Sequence, residues 1–296
     1  MNIFERAFIS FGSKGYLKWM SDEAYLKAVY KIRTGKKLDL KNPQTFNEKL
    51  QWIKIHNRKP EYTAMVDKYG VKKLVAEKIG EEYIIKTLGV WDSFDEIDFD
   101  SLPDRFVLKC THDSGGLVIC RDKSKLDIAK AKEKIERSLK RNYFWSSREW
   151  PYKDVKPRII AEEYMEDSSR PEGESLLVYK IMNFGGEPKI IQTIQNDKKP
   201  NESIDYFDTD WNLLELRQNF PNSTSPLQKP TVLSDMLELS RKMSAGFPFL
   251  RVDFYVIEGK IYFSEYTFFS DSGLAAFTPP EWDKKLGDMI KLPKVD

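Results

Sequence analysis

Arg251-Val252-Asp253 and, one hairpin later, Ser264-Glu265-Tyr266-Thr267 are the segments whose residue types and spacing best suit chemistry. Asp253 stands five residues before Glu258, and Glu265 six after Gly259. A turn at Glu258-Gly259 therefore brings the two acids almost opposite each other on paired strands. Converging carboxylates repel unless a cation joins them. Mg²⁺ held by one or two carboxylates plus phosphate oxygens is the usual answer. Arg251 shares the face of Asp253, where a guanidinium can clamp a phosphate oxygen or a developing oxyanion. The competing reading is a sheet face with solvated charges, which the apolar flanks FLRVDFYV and IYFSEYTFF do not decide.

Residues 106–120 hold the second group. Lys109 ends a strand, and Ser114, Gly115 and Gly116 follow in a turn. Glycine amides approach an anion closely, and a nearby ammonium neutralises it. No Gly-Lys-Ser/Thr follows the glycines, so this is not a P-loop, and a plain hairpin tip is the alternative. The third group is RIIAEEYM. There Glu162, Glu163, Tyr164 and Met165 could form a hinge against a flat base, or an edge strand with solvated acids. Lys180 is a lone cation in the apolar stretch LLVYKIMNF and reads by itself as a snorkelling lysine. Asp67, Lys68 and Lys72 read as decoration of a solvent face. His112 reads as a turn residue bonded to backbone and His56 as structural, because no second His or Cys has metal-ligand spacing. Cys110 and Cys120 read as small core residues rather than a disulfide.

These groups must be held by surrounding elements. Residues 1–35 have near-helical apolar spacing, and Ser21-Asp22-Glu23 can cap a helix. Thr45-Phe46-Asn47-Glu48 has the form of a capping box opening the helix through Leu50, Trp52 and Ile53. A further helix over 67–79 ends at Gly80. From about Tyr83 strands take over. FVLKC and LVIC flank the glycine turn, and a charged helix spans 125–141. LLVYKIMNF and KIIQTIQ flank Gly185-Gly186, and the last hairpin carries the acid pair. Residues 166–174 read as an acidic loop, and most of 198–230 as loop. A helix, LSDMLELSRKMSAG, ends at Gly246. The fold class is α+β, with antiparallel hairpins rather than βαβ units. The expected divisions are a helical region over 1–82 and strand-rich parts over 83–165 and 166–296.

Composition narrows the function. The 296 residues carry 48 Lys and Arg against 46 Asp and Glu, a net charge of +2, too balanced for a dedicated nucleic-acid binder. Aromatics reach 13%, which argues against disorder. No apolar run approaches the roughly 18 residues that span a bilayer. Glu5, Arg6 and Lys14 break the N-terminal apolar runs, unlike a secretory signal. A cytoplasmic protein is expected, with contact to a membrane surface left open.

The order of the groups resembles the ATP-grasp superfamily, and within it the TupA-like family associated with teichuronopeptide and cell-surface polysaccharide synthesis. The stretches NPQTFNEKLQWIK, VDKYGVKKLVAEKIGEEY, FVLKCTHDSGG, IIAEEYM, FPFLRVDFYVIEGKIYFSEYTFFSDSG and KLGDMIKLP carry the resemblance over nearly the whole chain. It implies two α+β subdomains with antiparallel sheets gripping ATP, preceded by a helical region. Lys109 and the amides of Ser114, Gly115 and Gly116 would hold phosphates, with Lys68 or Lys72 adding a further lysine. Glu162, Glu163, Tyr164 and Met165 would hold adenine and ribose, and Lys180 would face the phosphates. Asp253 and Glu265 would bind Mg²⁺. Thr267 stands where many relatives have Asn, which puts a second metal in doubt. Arg251 would stabilise the transferring phosphoryl group. The implied activity is ATP- and Mg²⁺-dependent ligation of an amine to a carboxylate, such as a uronic acid or nucleotide sugar. No protein nucleophile is required, and no convincing Ser/His or Cys/His set exists. The rivals are a glycosyltransferase using the acid pair as its metal site, and a nucleotide-binding assembly protein without turnover.

Overall fold

The computed structural model describes residues 1–170, 175–196 and 199–294. The acidic loop expected over 166–174 therefore lies partly outside the described residues. The chain divides into two units. The first comprises Met1–Leu26, Arg58–Ala76 and Ile84–Met165, and the second Lys27–Asn57, Glu77–Tyr83 and Glu166–Asp296.

In the first unit α1 (Ile3–Ser13) starts with a capping box between Asn2 and Glu5. The beginning of α2 (Asp22–Thr34) follows, with the Ser21 hydroxyl accepting from the Ala24 amide. Further on, α4 (Glu61–Val66) and most of α5 (Gly70–Ile79) belong to this unit. Its sheet is built from β1 (Thr87–Trp91), β2 (Phe106–Cys110), β3 (Leu117–Cys120) and β4 (Ile159–Glu163), in the antiparallel order β1-β4-β2-β3. The edge-strand reading of RIIAEEYM is thus corrected. Its strand pairs on both sides, as an almost continuously buried run should. The amphipathic α6 (Ile128–Leu139) supplies Ala131 and Ile135 to a core with Phe106, Leu108, Cys110, Cys120 and Ile159. A short α7 (Phe144–Ser147) follows.

The second unit takes the end of α2, α3 (Phe46–His56) and a five-stranded antiparallel sheet. The capping box at Thr45 and Glu48 opens α3 as expected. The sheet strands are β5 (Val178–Phe184), β6 (Glu187–Gln195), β7 (Ser203–Phe207), β9 (Phe249–Ile257) and β10 (Lys260–Thr267), in the order β10-β9-β5-β6-β7. A two-residue β8 (Arg217–Gln218) pairs with β11 (Phe277–Thr278). Helix α8 (Leu233–Ser244) and α9 (Glu281–Met289) complete the unit. The strand Ser203–Phe207 corrects the expected loop. Asn and Pro dominate around it, but the SIDYF segment is buried throughout and pairs with β6. Phe46 of α3 packs its ring against Phe184, Phe249 and Phe277, fixing α3 to the sheet and to the segment after it.

Candidate active site

The last hairpin aligns the groups singled out above. Asp253 and Glu265 are direct cross-strand partners, as are Arg251 and Thr267, with a bulge near Phe263. Lys180 of β5 is the register partner of Asp253 on the other side. Side chains directly opposite each other share a face, so the five residues project together from three adjacent strands. Arg251 grips Asp253 through two parallel hydrogen bonds, Nε to Oδ1 at 2.7 Å and Nη2 to Oδ2 at 2.8 Å. It also donates to the hydroxyl of Thr267 at 2.9 Å and of Ser270 at 3.3 Å. Glu265 lies 3.7 Å from its Nη2, and Lys180 Nζ lies 4.0 Å from Asp253. The Asp253 side chain is 1% exposed and that of Glu265 43%. The competing reading of a solvated face is therefore half right: one acid is sealed and the other open to solvent.

Burial pushes the Asp253 carboxyl up, against the pull of Arg251 and Lys180. Burial, reinforced by Arg251, pushes the Lys180 ammonium down, while Asp253, Glu265 and Asp271 oppose it. The donors around the acid pair are oxygens only, two carboxylates and the Thr267 hydroxyl, which suits a hard cation. Among the described residues no cluster of three or more His, Cys, Asp or Glu surrounds a common point.

The first unit has its own charged group. Glu162 is buried, and its two oxygens accept from Lys72 and Lys109, each at 2.5 Å. Lys109 and Glu162 come from neighbouring strands, whereas Lys72 reaches in from α5. Burial alone would raise the Glu162 carboxyl, but the two ammonium groups outweigh it and hold it below the ordinary range. Lys72 also donates to the Ile85 carbonyl at 2.6 Å. The solvent-face reading of Asp67 and Lys72 is corrected. Asp67, which ends α4, is buried and bonded to Arg158 at 2.6 Å, and Lys72 is turned onto Glu162 of β4, so neither is spent on water. Lys68 donates to the Asp113 carbonyl.

The glycine turn is organised by Asp113. Its Oδ1 accepts from the amides of Gly115 at 3.1 Å and Gly116 at 3.0 Å, and its other oxygen accepts from the Ser138 hydroxyl. A Cβ at Gly116 would collide with Cys110 and Ser138, so only glycine fits there. His112 is buried with Nε2 at 3.2 and 3.0 Å from the Ser138 and Arg141 carbonyls, the backbone-bonded role expected. At the end of β4, Glu163 is exposed and its amide donates to the Lys86 carbonyl. Tyr164 accepts from Arg121 at 3.1 Å and lies under the Arg105 guanidinium at 4.2 Å. Met165 ends the first unit, half-buried.

One group escaped the sequence reading. Asp271 and Ser272, just beyond β10, hold left-handed backbone at φ 47° and 55°, and Gly273 follows at 63°. Left-handed non-glycine residues persist only where surroundings hold them. The holders come from α3. Gln51 donates to the Ser272 and Gly273 carbonyls at 2.9 and 2.7 Å, and the fully buried Lys54 donates to Ser272 at 2.8 Å. Asn47 brackets Ala275 with one bond to its carbonyl and one from its amide. The run NEKLQWIK thus secures the segment that leaves the Arg251 face. The one signal in the sequence is that Asn47, Gln51 and Lys54 stand at i, i+4 and i+7, on one face of α3.

Two antiparallel sheets, one bearing a lysine–glycine turn and the other an Arg-x-Asp face with its opposed Glu, make this an ATP-grasp architecture. The family model described as TupA-like ATP-grasp matches residues 48–291, and the chain belongs to that family. Among solved structures it is similar to the D-alanine–D-alanine ligase of Bacillus anthracis complexed with ATP, at 16% identity over 77% of this chain and 63% of that one, TM-score 0.44. It is similar to the same ligase of Helicobacter pylori at 17% identity, over 77% and 61%, TM-score 0.39. It is also similar to the N5-carboxyaminoimidazole synthetase of Staphylococcus aureus at 13% identity, over 69% and 44%, TM-score 0.40. The chain spans less than two thirds of the length of each of these proteins. No curated protein matches it.

Proposed function

We propose that the protein is an ATP- and Mg²⁺-dependent ligase that joins an amine to a carboxylate. The observation that carries this is the in-register face of Lys180, Arg251, Asp253, Glu265 and Thr267 in a member of the ATP-grasp superfamily. In the reaction a substrate carboxylate oxygen bonds to the γ-phosphorus of ATP as the bond to ADP breaks, giving an acyl phosphate. The amine then bonds to the acyl carbon, phosphate leaves, and the amine nitrogen loses a proton.

Each residue has a part. Lys109 and Lys72 bind phosphate oxygens, and Glu162 aligns the two ammonium groups so that neither adopts another rotamer. The Gly115 and Gly116 amides serve phosphate only after Asp113 releases them, so the turn changes partners when nucleotide binds. The stretch Glu163, Tyr164 and Met165, with Glu162 at its start, borders the adenine and ribose. Arg251 is pre-oriented by Asp253 and Thr267 and stabilises charge on the transferring phosphoryl group without reorganising. Lys180, its ammonium disfavoured by burial, gains from an incoming polyanion. Asp253 and Glu265, with the Thr267 hydroxyl, would hold Mg²⁺. When bound, the ion neutralises phosphate charge and orients the triphosphate.

The acceptor we infer is a uronic-acid-type carboxylate, free or on a nucleotide sugar, and the donor an amino acid or small amine in cell-surface polysaccharide synthesis, in the cytoplasm. Family membership supports this substrate class. Incubation with ATP, Mg²⁺, and panels of uronic acids and amines tests it. ADP release that requires both an acid and an amine supports the ligase. UDP freed from a UDP-sugar without ADP would identify a glycosyltransferase. Tight ATP binding with no turnover on any pair would identify an assembly protein.

A further inference from the structure

Helix α1 carries more apolar surface than its packing uses. One side faces inward: Phe8 stacks on Tyr25 with ring centroids 5.7 Å apart, and a Cβ on Gly12 would collide with the Tyr25 hydroxyl. Beyond the helix, a Cβ on Gly15 would lie 3.4 Å from the Trp145 ring. The helix surface adjoining that side lies open. Ile3, Phe4 and Phe11 recur at helical spacing and are 76%, 81% and 52% exposed, while Tyr16 and Trp19 just beyond are 67% and 80% exposed. Phe11 and Tyr16 meet edge to face, with centroids 6.0 Å apart. Of the twelve large apolar side chains exposed in the described chain, six lie within residues 1–19. Scattered singly they would need no explanation, but this concentration marks an interaction surface.

Charge selects the partner. Residues 1–20 hold three cations, Arg6, Lys14 and Lys18, all exposed, against one acid. That acid, Glu5, is already engaged, accepting from the Asn2 amide at 2.7 Å in the capping box. A second copy docked on the same patch would bring these cations against their own equivalents. An anionic bilayer accepts both features: aromatic rings settle at headgroup level and lysines pair with lipid phosphates. Eleven residues are too few to span a membrane, so α1 would lie in the interfacial plane. We propose that residues 1–19 form a peripheral docking surface for an anionic lipid bilayer, a role independent of the catalytic reading.

Flotation of the full-length protein with vesicles tests this. One set is phosphatidylcholine alone, and the other contains about one third phosphatidylglycerol. Flotation is expected with the anionic vesicles, about tenfold stronger than with the neutral ones, and weakened when salt is raised from about 0.1 to 0.5 M. The double variant F4S/W19S is expected to lose about tenfold in partitioning. K14E/K18E is expected to abolish the preference for anionic lipid. Both aromatic side chains are four fifths exposed, so an unchanged unfolding midpoint in F4S/W19S serves as the folding control. Quenching of Trp19 by brominated lipid, lost in Trp19→Phe, is the second readout. Absence of flotation with either vesicle, equal flotation with both, or undiminished flotation of F4S/W19S overturns the proposal. So does a dimer that dissociates in F4S/W19S while no vesicle binding occurs.

Discussion

Arg251 is the side chain on which the reactive face turns. It donates four hydrogen bonds, two to a buried carboxylate and two to hydroxyls on the next strand and the segment beyond. A lysine there keeps the charge but loses the planar fork. Arg251→Lys is expected to cut turnover about a hundredfold while changing ATP affinity only a few-fold, measured as ADP release against nucleotide titration. Glu162 offers a different test. With its carboxylate removed, two largely buried ammonium groups face each other, and Glu162→Gln should cost about 3 kcal/mol of unfolding free energy in a denaturant titration. Its folded pKa lies below the ordinary 4.5, so its contribution is complete above that pH and is lost as pH falls through the lower folded value. Below pH 4.5 the wild type should therefore lose stability more steeply than Glu162→Gln. Neither pairing of Glu162 could be read from the chain, because Lys72 and Lys109 stand 90 and 53 residues away from it in sequence.

At the scale of elements, the hairpins were legible and their neighbours were not. Alternation and the Glu258-Gly259 turn set Asp253 against Glu265, and that register is what forms. The capping box of α3 was equally plain, but its purpose was not. Asn47, Gln51 and Lys54 face a segment more than 200 residues later, and period and propensity carry no information about such partners. Lys54→Met is expected to lower stability by about 2 kcal/mol and to open residues 270–276 to protease, since it removes the charged one of the two donors to the Ser272 carbonyl and leaves Gln51 alone on it. If protection of that segment is unchanged, the clamp is not what holds the left-handed residues. The glycine turn behaves similarly. Gly116→Ala should destabilise by about 2 kcal/mol through overlap with Cys110 and Ser138, visible as a lower denaturation midpoint. Burial pushes the Cys110 thiol up to about 11, so alkylation at pH 8 should label it only after unfolding.

At the scale of the whole molecule, the backbone passes between the two units five times, at 26/27, 57/58, 76/77, 83/84 and 165/166. A fragment of residues 166–296 would lack α3, and Phe46, Gln51 and Lys54 with it. Such a fragment is expected to expose residues 270–276 to proteolysis that the full chain resists, and this can be followed by mass spectrometry. The sequence by itself determined the α+β class, the hairpins and their turns, the acid pair, and a family resemblance, because each is encoded by local periodicity, turn chemistry or motif order. Only the tertiary structure decided that Glu162 binds two lysines, that Asp113 occupies the glycine amides, that β4 is internal, and that α3 restrains a left-handed segment. These depend on which distant surfaces meet. That choice follows from burying apolar area contributed by elements far apart in sequence, a property of the folded chain that no window of residues contains.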